Sequence, residues 1–133
     1  MKKNHNFFFN LAFKIAEINI GNTKLNPSVG TVVVKKNSVI SSGVTSINGR
    51  PHAEYNALNN KINYKNANLY VTLEPCTHTG LTQPCVNIIK KKKIKNVFYC
   101  FNDPDKRTFK KAKLILNKDN VNCKKIKYNT YKS

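Results

Sequence analysis

His52 and Glu54 stand in the triplet His-Ala-Glu, and Cys76 and Cys85 each directly follow a proline, Pro75 and Pro84. One imidazole and two thiolates make three ligands for a tetrahedral Zn²⁺. Three protein ligands leave the fourth position to water, as in catalytic zinc sites and unlike closed structural ones. The metal lowers the pKa of that water toward neutrality and so supplies hydroxide at physiological pH. Glu54, two residues past the histidine, is spaced to reach the water without being a ligand and to move protons between water, substrate and leaving group. Singly, each residue has a plainer explanation: a packed or surface histidine, a helix N-terminal acid, two small core cysteines. Their order and joint context favour the metal site. Cys100 and Cys123 fall in strand-like segments and read as buried apolar side chains, and His5, in a polar N-terminus, has no evident partner.

The elements that must position these residues alternate along the chain. Phe9, Ala12, Phe13, Ala16 and Ile20 recur at helical spacing in a first helix, followed by a loop from Gly21 to Pro27. Val29 to Val34 is a β-branched run that reads as a buried strand; a turn at Lys36-Asn37 and a second strand over 39–44 predict an antiparallel hairpin. From His52 to about Asn60 the pattern is helical, with Pro51 just ahead of it. Ala67 to Leu73 is a third strand, and a loop rich in Thr, Gly and Pro runs to Pro84. Cys85 to Lys92 is a helix, Ile94 to Phe101 a strand, Lys106 to Asn117 a helix, and Val121 to Ile126 a fifth strand. The later strands, joined by helices, are expected to be parallel. His52 and Glu54 would thus lie in the first turn of one helix, Cys76 after a strand end and Cys85 at the start of the next helix.

The 133 residues suit one domain, and 40% hydrophobic residues spread along the chain suffice for a core, which argues against disorder and against a disulfide-stapled miniprotein. The formal charge of +18 needs a cause. Lys, Asn and Ile make up 54 of the 133 residues, and their A/T-rich codons point to genome composition. The run Lys90 to Lys93 could touch phosphate, but the lysines are scattered and lack interleaved aromatics, so a solvated helix face is the simpler reading and nucleic acid is not the expected partner. Lys2 and Lys3 precede an apolar stretch interrupted by Asn10, Lys14 and Glu17, which is no signal peptide, and no segment approaches the roughly 18 apolar residues of a membrane span. A cytoplasmic protein with no membrane is expected, and in that reducing compartment paired cysteines hold metal more often than each other.

His-x-Glu followed by Pro-Cys and a second Cys resembles the signature of the zinc-dependent cytidine-deaminase-like superfamily, whose chemistry is a worked case among base-modifying enzymes. Nucleic-acid editing members have Cys-x-x-Cys, whereas here eight residues separate Cys76 from Cys85 in Thr-Leu-Glu-Pro-Cys-Thr-His-Thr-Gly-Leu-Thr-Gln-Pro-Cys, Thr72 to Cys85. That loop, Asn26-Pro27-x-Val29-Gly30, Gly49-x-Pro51-His52-Ala53-Glu54 and Asp103-Pro104 resemble the deaminase domain of the bifunctional riboflavin-biosynthesis deaminase/reductase over about residues 9–123. The resemblance implies a three-layer α/β sandwich with a mixed sheet of about five strands flanked by helices; the chain is expected to be a single deaminase domain over 1–133 with no reductase domain. It implies hydrolytic deamination of the pyrimidine ribotide 2,5-diamino-6-(ribosylamino)pyrimidin-4-one 5′-phosphate to the aminouracil and a homo-oligomer, and a separate NADPH-dependent reductase is expected downstream.

Residue by residue, the resemblance makes Asn26 a substrate contact, His78 a pocket residue and Asp103 a contact on the ribose or phosphate side; as turn or loop residues they also have ordinary readings. Glu74 is either part of the site or an anchor for backbone amides. Thr45 stands where members commonly have His, Leu81 where Lys or Arg usually follows the loop Gly, and Asp105 where Asn follows Asp-Pro; the glycines expected a few residues later are replaced by Thr108-Phe109-Lys110-Lys111-Ala112. The chain has two arginines and both flank motifs, Arg50 ahead of His52 and Arg107 after Asp103. Either is a candidate fork for a substrate phosphate, or an ordinary surface cation. Two other readings stay open: a tRNA or nucleic-acid base deaminase, and a degenerate domain that keeps zinc for stability alone.

Overall fold

The computed structural model describes residues 4–128; Lys2 and Lys3, weighed above, lie outside them. The valine run that reads as a buried strand becomes β1 (Gly30–Lys35), and a two-residue turn returns the chain as β2 (Ser38–Val44), antiparallel to it. Lys36 and Asn37 both take positive φ, 51° and 65°, which matches the tight turn that follows the right-handed twist of a hairpin. β3 (Asn68–Leu73) pairs antiparallel with the other edge of β1. β4 (Asn96–Phe101) and β5 (Asn122–Lys125) then add in parallel, giving the order β2-β1-β3-β4-β5. Parallel neighbours need crossovers, and these are α3 (Cys85–Lys91) and α4 (Ala112–Lys118).

Alternation along the central strands separates two cores. Val32, Val34, Tyr70, Phe98 and Cys100 face α1 (His5–Ala16) and bury its Phe8, Phe9 and Ala12. Val33, Leu69, Val71 and Val97 face the opposite layer, where α2 (Ala53–Leu58), α3 and α4 contribute Ala57, Leu58, Val86, Ile89 and Leu116. The result is the expected three-layer sandwich around a mixed five-stranded sheet. Cys100 and Cys123 are only 5% and 1% exposed, and desolvation pushes both thiols up to about 12, so they are inert core residues as anticipated. Gly30 lets α1 settle on β1: a Cβ there would sit 1.9 Å from the Ala12 carbonyl oxygen.

Three expectations need correction. The first helix ends at Ala16 and runs into a 3-10 turn (Glu17–Asn19), so Ile20 is 64% exposed and not part of the apolar stripe. His5 does have a partner, since its Nδ1 lies 2.8 Å from the Tyr70 hydroxyl and its ring packs on Phe98. The helix expected from Lys106 begins only at Ala112. The segment before it forms turns because side chains claim its amides: Asp105 accepts from Arg107 N, and Glu74 accepts from Lys110 N and Ala112 N. Lys110 is left at φ 61°, outside the helical region. No helix among the described residues is long and apolar enough to cross a membrane.

Candidate active site

The carboxyl ends of β3 and β4 and the starts of α2 and α3 meet at one corner of the molecule. His52 caps α2 from an extended backbone, Glu54 sits in the first turn, Cys76 lies three residues beyond β3, and Cys85 opens α3. His52 Nδ1 is 3.7 Å from Cys76 Sγ and 3.4 Å from Cys85 Sγ, and all three candidate ligand atoms lie within 4.8 Å of one another. Zn–N and Zn–S bonds of ordinary length at a tetrahedral angle put ligand nitrogen and sulfur about 3.6 Å apart. The donor set therefore fits zinc in chemistry and in spacing.

Electrostatics at the corner is that of a site ready to exchange protons for a cation. A hydrogen bond from the Cys85 thiol, and then His52, holds the Cys76 thiol down at about 4. The Cys85 backbone N–H also donates to Cys76 Sγ at 3.1 Å, so the start of α3 steadies the thiolate. Cys85 moves upward through the same thiol contact and through burial, and His52 moves upward chiefly through its hydrogen bond to Cys76. Metal binding must displace the protons that these two groups hold. Burial, aided by the charge of Cys76, pushes the Glu54 carboxyl up to about 7. Glu54 is 4% exposed, an acid kept next to the ligands and away from bulk water.

A cavity of about 520 Å³ opens over this corner, within the range of small-molecule sites. His52, Glu54 and Cys76 line it, as do Asn26, His78, Asp103, Arg50 and Arg107; every substrate-side candidate read from the sequence thus faces the same space. Cys85 is not among the lining residues of this cavity; it and His52 line a neighbouring one. Asn26 Nδ2 donates to the Gly49 carbonyl at 2.9 Å, which ties the first loop to the segment entering α2. Gly49 takes φ 94°, and a Cβ there would press on Thr23 O and Asn26 Nδ2, so the glycine is required by this contact. Burial raises the Asp103 carboxyl above its ordinary value.

Glu74 resolves as the amide anchor. It is 2% exposed, and its Oε1 accepts from Asn102 Nδ2, Asp103 N and Lys110 N while Oε2 accepts from Ala112 N. It fixes the loop that carries Asp103. Sequence reasoning missed Thr108, fully buried, whose Oγ1 accepts from Thr77 N at 3.1 Å and lies 3.0 Å from His78 Nδ1. It joins two loops thirty residues apart, and no local pattern announces such a contact. Thr45, the position where His is expected, is buried and accepts from Val29 N, a backbone role at the cavity wall.

Residues 2–101 match the family described as the cytidine and deoxycytidylate deaminase zinc-binding region. The chain is 44% identical over 100 residues to the riboflavin biosynthesis protein RibD of Bacillus amyloliquefaciens, covering 74% of this chain and 27% of that one. It is 36% identical to the diaminohydroxyphosphoribosylamino-pyrimidine deaminase of Buchnera aphidicola subsp. Schizaphis graminum, covering 89% of this chain and 81% of the relative. A solved Thermotoga maritima diaminohydroxyphosphoribosylaminopyrimidine deaminase/5-amino-6-(5-phosphoribosylamino)uracil reductase superposes with a TM-score of 0.83 at 30% identity, over 91% of this chain and 36% of that one. The chain thus spans about a quarter of the length of the Bacillus relative.

Proposed function

The chain belongs to the cytidine and deoxycytidylate deaminase zinc-binding family, and from that premise we propose that it hydrolytically removes the ring amino group of 2,5-diamino-6-(ribosylamino)pyrimidin-4-one 5′-phosphate, giving the aminouracil and ammonia. The observation that carries the reading is the convergence of His52, Glu54 and Cys76 on one cavity of small-molecule size, with Cys85 completing the ligand set. The substrate is supported by the name of the Buchnera relative, which matches over most of both chains.

His52 Nδ1 and the thiolates of Cys76 and Cys85 would hold Zn²⁺, which when bound supplies a Lewis acid that makes water a nucleophile at neutral pH. Deamination exchanges a C–N bond for a C–O bond, so protons from water must reach the departing nitrogen. Glu54 is the group for that transfer: its carboxylate takes a proton from the attacking water and its carboxyl returns it to the amino nitrogen, which leaves as ammonia. Burial keeps that proton from being lost to bulk solvent. Asn26 and His78 would orient the ring, each held in turn by a fixed partner, Gly49 O and Thr108 Oγ1. Asp103 would face the ribose. A homo-oligomer and an NADPH-dependent reductase that consumes the aminouracil belong to the same reading and rest on the family alone.

A nucleic-acid base deaminase would use the same metal corner, but four carboxylates, Glu54, Glu74, Asp103 and Asp105, line the cavity against two arginines, a poor path for a polyphosphate strand. The test is ammonia release by the zinc-loaded protein from the diaminopyrimidine ribotide, dCMP and tRNA side by side. Turnover of the ribotide well above the other two is expected; preference for tRNA or dCMP would overturn the substrate assignment.

A further inference from the structure

The chain carries 22 lysines and two arginines, yet among the described residues no lysine lines the cavity and both arginines do. In so lysine-rich a sequence this is selective placement of the planar fork that suits a phosphate. The two arginines differ in what they already hold. Arg107 forms a two-point ion pair with Asp105, Nε to Oδ1 at 3.0 Å and Nη2 to Oδ2 at 2.6 Å, and Asp105 Oδ1 also accepts the Arg107 backbone N–H. Its fork is filled by a carboxylate, and that carboxylate itself faces the cavity.

Arg50 has no acidic side chain within ion-pair distance among the described residues. Its Nη1 donates to Thr82 Oγ1 at 3.3 Å, which carries the guanidinium from the α2 side across to the loop between Cys76 and Cys85. That loop offers no cation of its own next to the contact, since Leu81 occupies the preceding position and is 85% exposed. The backbone around Arg50 is held by Gly49 N donating to Ser46 O and Ser46 N to Pro51 O, so the side chain springs from a fixed base two residues before His52. A phosphate dianion therefore meets a guanidinium already held by a carboxylate at Arg107, and an unfilled one with a neighbouring hydroxyl at Arg50.

We propose that Arg50, with the Thr82 hydroxyl beside it, holds the 5′-phosphate of the substrate, and that Arg107 instead neutralises Asp105 to shape the wall. The proposal rests on the ribotide reading above and fixes which residue selects the phosphorylated form. It is tested with Arg50→Ala, Arg50→Lys and Arg107→Ala, each zinc-loaded, by kinetics on the ribotide and its dephosphorylated nucleoside and by titration with ribose 5-phosphate against ribose. Losing a charged two-point contact should raise KM for the ribotide about 10- to 100-fold in Arg50→Ala with kcat little changed. The nucleoside KM should move by less than about twofold, and ribose 5-phosphate binding should weaken in parallel with the ribotide, partly restored in Arg50→Lys. A phosphate-selective loss in Arg107→Ala, or an equal loss for both substrates in Arg50→Ala, would overturn it. If the wild-type protein turned over neither substrate, the functional reading would fall, while the ribose 5-phosphate titration would still decide for or against Arg50.

Discussion

Glu54 and Glu74 line the same cavity and are only 4% and 2% exposed, but their oxygens have opposite surroundings. Glu74 is saturated: four donors from Asn102, Asp103, Lys110 and Ala112 point at it, three of them backbone amides. Glu54 instead sits beside the metal-ligating side chains of His52, Cys76 and Cys85, and a cysteine that binds metal as thiolate no longer donates a hydrogen bond. A carboxylate fully ringed by fixed donors cannot exchange protons without breaking structure. One whose neighbours are metal ligands can. Burial alone therefore does not mark a catalytic acid; the kind of partner does.

The sharpest way to break this comparison is to make the same substitution in both residues. Glu54→Gln should keep zinc and fold while deamination falls by about 10²- to 10⁴-fold, because the amide matches the carboxyl in shape but shuttles no proton. Glu74→Gln should do the reverse in kind. Its new NH₂ faces backbone donors, so stability to urea should drop by about 2–4 kcal/mol, with zinc content retained and the Asp103 loop loosened. An active, zinc-loaded Glu54→Gln protein, or a Glu74→Gln protein as stable as the parent, would erase the distinction.

The metal corner was legible in the sequence because its residues sit at element starts that local patterns reveal. His52 and Glu54 enter α2 together, and Cys85 enters α3 directly after a proline. The hairpin and the parallel strands follow equally from β-branched runs, turn residues and helix-length linkers. The loop between β4 and α4 was not legible. The expected helix from Lys106 failed because Glu74, far away in sequence, captures the amides of Lys110 and Ala112, and only the fold brings those groups together. His5 looked solitary for the same reason, its partner Tyr70 lying on β3.

Cysteine substitutions sharpen the comparison one step below the carboxylates. Cys85→Ala should reduce bound zinc from one per chain to a small fraction, since a site of one imidazole and one thiolate lacks the third protein ligand. Cys100→Ala and Cys123→Ala should keep the metal and lose only core packing, both side chains being buried among apolar neighbours of the sheet. Metal analysis after dialysis against a weak chelator reads the difference, and zinc lost from Cys123→Ala but kept in Cys85→Ala would move the centre to the other end of the sheet.

The smallest effect is expected where the two regions are stitched together. Thr108 is 0% exposed, and its hydroxyl serves Thr77 N and approaches His78 Nδ1, so one group connects the wall fixed by Glu74 to the loop that leaves the metal corner. Thr108→Val preserves the branched shape and removes only the hydroxyl. Thr77 N–H is then left without its acceptor in a half-buried loop, at a cost of about 1–2 kcal/mol. Zinc content should not change, because none of the candidate ligands contacts Thr108. What should change is the freedom of His78, now without the partner that orients its ring, and with it KM for the ribotide by about two- to fivefold at constant metal loading. Thr108→Ser, which restores the oxygen without the methyl, should recover most of that KM change even if it packs less well. Recovery by Ser but not by Val assigns the effect to the hydrogen bond. Equal behaviour of the two would mean that Thr108 acts by filling space, and that the wall and the metal corner are held together by packing alone.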